Sequence, residues 1–345
     1  MARAGLGRST PAPALTLVLA SNAPDIDIVS VFAGGGVSYL DAHRGFTHGP
    51  LGCLLLGAAV AIGVVGGTAW RARRRGDSLP QPARTFARTL ALALIGLGVH
   101  VLMDVPTSYG TRVLSPFVDT WYAMDWMPII DIYLWAVLAA GVTLTHVRPR
   151  AATRIAWAAL ALTACDYAAR GVLHETALAD TAARTASAHA SPCAASPTFV
   201  RHPAVIEAAI AGPESCIQAA ALPTFLSPFR WRGIRQYPGG YELSERELGN
   251  PAAPVPHVWI PSEAGPLIAR ARATPTARVF LDFARFPAAR IVQTSPDEVI
   301  ARFVDVRFLG NPLSWDPDAR ARPPFVVTVA LERETGRVLD ERLGH

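Results

Sequence analysis

The sequence predicts an α-helical multi-pass membrane domain followed by a smaller antiparallel β-rich extracytoplasmic domain, and three observations predict it. The 345 residues are 51% hydrophobic and only 17% charged, well below the roughly 25% charge usual in soluble proteins. The charge is uneven: residues 1–173 hold 14 Arg and nine Asp with no Glu, whereas residues 174–345 hold 18 Arg and 18 acidic residues. Hydrophobic periodicity changes at the same place, from long apolar runs to apolar/polar alternation. This composition excludes a disordered chain and a disulfide-dense miniprotein. All 32 basic residues are Arg, but they are scattered or sit in short loops without interleaved aromatics, so nucleic-acid binding is not expected.

The domains expected are residues 1–173 as the transmembrane helical part, 174–228 as a linker and 229–345 as the β domain. Residues 49–70 run for 22 positions without a charge, about 33 Å of helix against a hydrocarbon core of about 30 Å. Residues 85–103, 130–147 and 154–173 are weaker spans. The run 11–24 ends at Pro24 and is short for a span; it also resembles a signal-peptide core without a supporting cleavage site. Arg71, Arg73, Arg74, Arg75, Arg84 and Arg88 crowd one connection, Arg148, Arg150 and Arg154 another, and Arg3 and Arg8 precede the first run. The positive-inside rule places these segments in the cytoplasm. Loops 25–48 and 104–129 then face outward, with the chain after the last helix, in a multi-pass protein of the cell inner (plasma) membrane.

Residues 174–228 are rich in Ala, Ser and Pro and read as a helical linker followed by irregular structure. Beyond them, IRQYPGGYELSE reads as two strands around Pro-Gly-Gly, and HVWIP as a short strand. ARVFLDFARF, DEVIARFVDVRF, PFVVTVALERE and GRVLDERL alternate in polarity, with Thr335-Gly336 as a hairpin turn between the last two. The expected result is one antiparallel sheet, covered on one face and resting on the membrane domain. Asp282, Arg285, Asp305 and Arg307 read as surface cross-strand pairs more readily than as groups reaching the membrane site. Cys53 and Cys165 read as small apolar packing. Cys193 and Cys216, 23 positions apart, are either bridged, as an oxidising compartment allows, or free.

Four features of the membrane half carry chemistry. They are Pro24-Asp25-Ile26-Asp27 after the first run, His43-Arg44-Gly45-Phe46-Thr47-His48 before the best span, His100 to Asp104 closing another helix, and the loop from Tyr109 to Asp131. His100 and Asp104 are four apart and share a helical face. Ionisable groups beside hydrocarbon need a partner. Arg44 and Arg112 are too few to neutralise Asp25, Asp27, Asp104, Asp119, Asp125 and Asp131, although Asp119 and Asp131 read as hydrated loop residues or caps. A divalent cation is the economical counter-charge. His with Asp oxygen suits zinc first, and manganese or iron, better than calcium.

SNAPDID, HRGFTHG and HVLMDVPTSYGTRVLSPF, in this order between apolar helices, resemble the bacterial membrane-bound metal-dependent hydrolases of the YdjM/YbcI type, some of which are described as LexA-associated inner-membrane proteins. The resemblance extends through LPTFLSPFRWRGI, FARFP and VDVRF, nearly the whole chain. It implies Asp25, Asp27, His48, His100 and Asp104 as metal-site residues, with His43 a weaker member because similar proteins can carry Arg there. It suits Arg44 to an anionic substrate group and Thr47 to orienting His48 or a water. The HxxxD pattern is also similar to part of the helical site of zinc-dependent phospholipase C. Similar proteins carry a further apolar helix, opening on Thr-His, ahead of an Ala-Gly-Leu-Gly-Arg-like loop. Here Ala4-Gly5-Leu6-Gly7-Arg8 follows Met1 almost directly, so either upstream sequence supplies that His or the ligand set is one short.

The function expected is metal-assisted hydrolysis of a phosphoester or other lipid-derived substrate at the outer membrane–water interface. Asp25 or Asp104 takes the proton of a water, and Arg44 stabilises the developing charge. The bilayer is the other expected partner. The alternative is a non-catalytic membrane scaffold or partner-binding protein whose metal or ion-pair cluster staples helices. A transporter is disfavoured, because the charges cluster at helix ends and no inverted repeat is visible.

Overall fold

The computed structural model describes residues 1–78, 81–183, 193, 216–250, 255–293, 295–310 and 325–344. They form two compact units, residues 1–29 with 42–170, and residues 30–41 with 171–345.

The first unit is helical. Helix α1 (Pro13–Asn22) precedes a 3-10 stretch, Pro24–Ser30, that begins where Pro24 supplies no N–H to continue the helix. Helix α2 (Val31–Ala42) belongs to the second unit and is broken at Gly34 and Gly35, the latter at φ 65°. A 3-10 turn, Phe46–His48, leads through Gly49 into α3 (Pro50–Arg74), which opens with proline at its first position and closes on Arg71, Arg73 and Arg74. Helices α4 (Pro82–Asp104), α5 (Ile132–Val147) and α6 (Ala152–Ala183) follow. Ala20, Ala93 and Leu97 form a small core with Cys53, Leu56 and Val60, so α1, α3 and α4 pack as one layer.

All five apolar runs are helical, but they differ as spans. Among the described residues, α3 and α4 are long and apolar enough to cross a membrane, and Pro13–Asn22 with Pro24–Ala42 passes only as a pair bent by 45°. At 16 residues, α5 is a shorter apolar helix, about 24 Å long. Asp166 and Arg170 interrupt the apolar run of α6.

The second unit holds two four-stranded antiparallel meanders rather than one sheet. The first comprises β1 (Gln218–Pro223), β2 (Arg230–Tyr237), β3 (Gly240–Glu247) and β4 (His257–Pro261); the second comprises β5 (Pro287–Gln293), β6 (Glu298–Asp305), β7 (Val326–Glu332) and β8 (Val338–Leu343). The two strands expected around Pro-Gly-Gly are present, and Tyr237 pairs with Gly240 across Pro238-Gly239 in a two-residue hairpin. Gly336 sits at φ 67° in the β7–β8 turn. The sheets share one core, in which Ile234, Leu243 and Ile260 meet Phe286, Val304 and Val326.

One further expectation needs correction. ARVFLDFARF is not a strand: α8 (Pro275–Phe283) occupies most of it, after the short α7 (Pro266–Arg272). Pro275 opens the helix, and Thr276, Ala277, Phe280 and Phe283 are buried at helical spacing. Within the stretch taken for a linker, α6 continues to Ala183 and packs Ala177 and Leu178 against Trp231, and β1 joins the first sheet. The rest of that stretch lies outside the described residues, apart from Cys193 and residues 216–228, and Cys193 is bridged to Cys216.

Candidate metal centre

The centre assembles where three chain segments of the first unit end. The 3-10 stretch after α1 carries Asp25 and Asp27 in its first turn. The turn before α3 carries His48, and the last turns of α4 carry His100 and Asp104. Two glycines let the backbones meet: a Cβ on Gly49 would strike the carbonyl oxygen of Ser115, and one on Gly52 would strike that of Phe46. Arg44, at φ 53°, turns the chain into this position. Its N–H donates to Asp27 Oδ2 at 3.0 Å, and its carbonyl accepts from Arg112 N at 2.8 Å.

Nε2 of His48 and Nε2 of His100 lie 3.3 Å apart. Asp25 Oδ1 lies 3.7 Å from the first and 3.5 Å from the second. Asp104 Oδ2 lies 3.3 Å from both. Ligands held about 2.0–2.1 Å from a tetrahedral zinc stand about 3.3–3.5 Å from one another, so Asp25, His48 and His100 are spaced as a ligand set. His48 is buried, His100 and Asp104 nearly so, and Asp25 is 53% exposed, which leaves one side open.

Thr47 sets the state of His48. Its hydroxyl donates to Asp27 Oδ2 at 3.1 Å, which leaves an oxygen lone pair for His48 Nδ1 at 3.0 Å. The proton is therefore assigned to Nδ1, and Nε2 presents a bare lone pair to the centre. Asp104 Oδ1 is held by Arg44 at 3.0 Å, while Asp104 Oδ2 is buried between the two imidazoles. Asp25 Oδ1 with the His48 and His100 nitrogens is a donor set that could hold a cation, and Asp104 Oδ2 stands beside it. The residues present fit a divalent ion.

The other expected residues are nearby. Asp27 is buried and accepts hydrogen bonds from Arg44 N and Thr47 Oγ1, and its Oδ1 lies 3.0 Å from His43 Nδ1; Asp25, Asp27 and His43 form a second group that could hold a metal ion. His43 stands edge-on to His48 and to Tyr109. Arg44 is buried, pairs with Asp104, donates to Thr107 at 2.9 Å and lies over the Tyr109 ring. Its guanidinium is engaged by these neighbours.

The count of cations also changes. Arg112 pairs with Asp119 at 3.2 Å, and Asp131 caps α5 through the N–H groups of Tyr133 and Leu134. Asp131 further pairs with Arg170 of α6, a buried cation that counting along the loops misses. Thr107 and Tyr109 are also new; both lie in the motif that follows His100, but their types alone point to no metal chemistry.

The fold and the site define a helical membrane-type protein with a His/Asp cluster that could hold a metal ion. Residues 1–177 match the YdjM inner membrane protein family, and the chain belongs to that family. It is also similar to the protein described as "Uncharacterized protein YfhP" of Bacillus subtilis (strain 168), with 26% identity over 142 residues. That match spans 40% of this chain and 39% of the relative. No solved structure matches.

Proposed function

We propose that this chain is a membrane-embedded, metal-dependent hydrolase acting on a phosphoester or other lipid-derived bond at the outer membrane–water interface. The observation that carries the reading is the spacing of Asp25 Oδ1, His48 Nε2 and His100 Nε2, 3.3–3.7 Å apart with one open side. Zinc is the first choice for such donors, with manganese or iron next. When bound, a divalent cation lowers the pKa of water and polarises a phosphoryl oxygen.

The chain's own residues do the rest. Thr47 holds His48 in the tautomer that ligates, and Arg44 fixes Asp104 through Oδ1. Asp104 Oδ2, buried beside the two imidazoles, accepts the proton of the attacking water. Arg44 acts on substrate through Asp104 rather than by direct contact. Arginines at the far ends of α3 and α4 support a cytoplasmic end opposite the centre, and the Cys193–Cys216 bridge supports an extracytoplasmic sheet unit.

Full-length protein in detergent tests the reading by elemental analysis and by hydrolysis of bis(p-nitrophenyl) phosphate and of phospholipid in mixed micelles. His48→Ala is expected to lose both metal and turnover. Asp104→Asn is expected to keep the metal and lose about 10²–10⁴-fold in turnover. Protein without stoichiometric zinc, manganese or iron, with both variants indistinguishable from the parent, would overturn it and leave a cluster that only staples helices.

A further inference from the structure

We propose that the centre takes two divalent cations, with Asp25 as the carboxylate they share; this rests on the metal-dependent reading above. Two sets of ligand atoms are present, each within 4.8 Å of one another: Asp25, His48 and His100 form one, and Asp25, Asp27 and His43 form the other. Asp25 belongs to both. A carboxylate has two oxygens, so one residue serves two ions, and paired catalytic ions generally stand about 3.5–4 Å apart. The His43 and His48 rings are 6.1 Å apart, edge to face, which puts the two sets side by side.

Three carboxylates, Asp25, Asp27 and Asp104, meet at the centre; Asp104 pairs with Arg44, Asp27 with His43, and Asp25 faces His48 and His100. The second position is lined by Asp27, 3% exposed, and His43, 13% exposed, and meets solvent at Asp25. His43 Nδ1 and Asp27 Oδ1 stand 3.0 Å apart; an ion held there would take the Nδ1 lone pair of the tautomer that carries its proton on Nε2.

Full-length protein in detergent, loaded with Mn²⁺ and freed of excess ion, provides the test through elemental analysis and low-temperature electron paramagnetic resonance. About two ions per chain and the spectrum of a spin-coupled pair are expected. His43→Ala should lower the count to about one and leave an isolated six-line Mn²⁺ signal. One ion per chain with an uncoupled spectrum in the unsubstituted protein overturns the inference and leaves the hydrolase reading standing. No bound ion overturns both. The spectrum of the unsubstituted protein decides the matter even if His43→Ala does not fold.

Discussion

Both units bury charge, and they do so in opposite ways. In the sheet unit, Asp305 is 0% exposed and both of its carboxylate oxygens are hydrogen-bonded. Its Oδ2 accepts from Arg285 N, Arg307 Nε and Arg307 NH2 at 2.8–3.0 Å, and its Oδ1 accepts from Arg307 N. The same guanidinium donates to the Phe283 carbonyl and lies over the Phe283 and Phe308 rings. In the helical unit, two imidazole nitrogens and carboxylate oxygens face one another. The first arrangement is closed by its own hydrogen bonds. The second gathers side chains that could hold a metal ion.

The contrast can be broken from either side. The largest effect is expected from Asp305→Ala, which leaves Arg307 buried without its counter-charge and costs about 3–5 kcal/mol. Denaturant unfolding followed by the fluorescence of buried Trp231 measures it, and metal content should not change. If the variant instead lost metal while keeping its stability, the two centres would have been assigned the wrong way round. Thr47→Val comes next: with no oxygen to receive the His48 Nδ1 proton, metal affinity should fall about 10–100-fold in competition with a chromophoric chelator. Thr47→Ser should restore it, and an unchanged affinity would remove Thr47 from the orienting role. The smallest effect is expected from Tyr241→Phe, which deletes the 2.9 Å hydrogen bond from its hydroxyl to the Pro287 carbonyl between the two sheets. It should cost about 1 kcal/mol in the same unfolding experiment, with no change at the metal centre.

How much of this could be read in advance depends on how local the signal was. The uncharged run 49–70 and the turns at Pro238-Gly239 and Gly336 are written in adjacent residues, and helix and hairpins follow. The pairing of His100 with Asp104 is equally local, being one helical turn. α8 escapes because ARVFLDFARF satisfies two periods at once; the alternation is conspicuous, while the stripe of Ala277, Phe280 and Phe283 behind Pro275 decides the outcome. Asp305 and Arg307 look like two same-face strand residues. The strand instead stops at Asp305, which caps a 3-10 turn and draws Arg307 inward. The partnership of Asp131 with Arg170 spans 39 positions. Nothing in the local pattern announces it, and only tertiary packing brings the two together.

The unequal exposure of the centre bears on the proposed metal chemistry. His48 is sealed in and His100 and Asp104 are nearly so, but more than half of the Asp25 side chain is in contact with solvent. On the proposed reading, an ion sheds and regains its hydration shell beside that carboxylate. Shortening or neutralising it should change how fast the centre loads and empties, beyond any change in how tightly it holds.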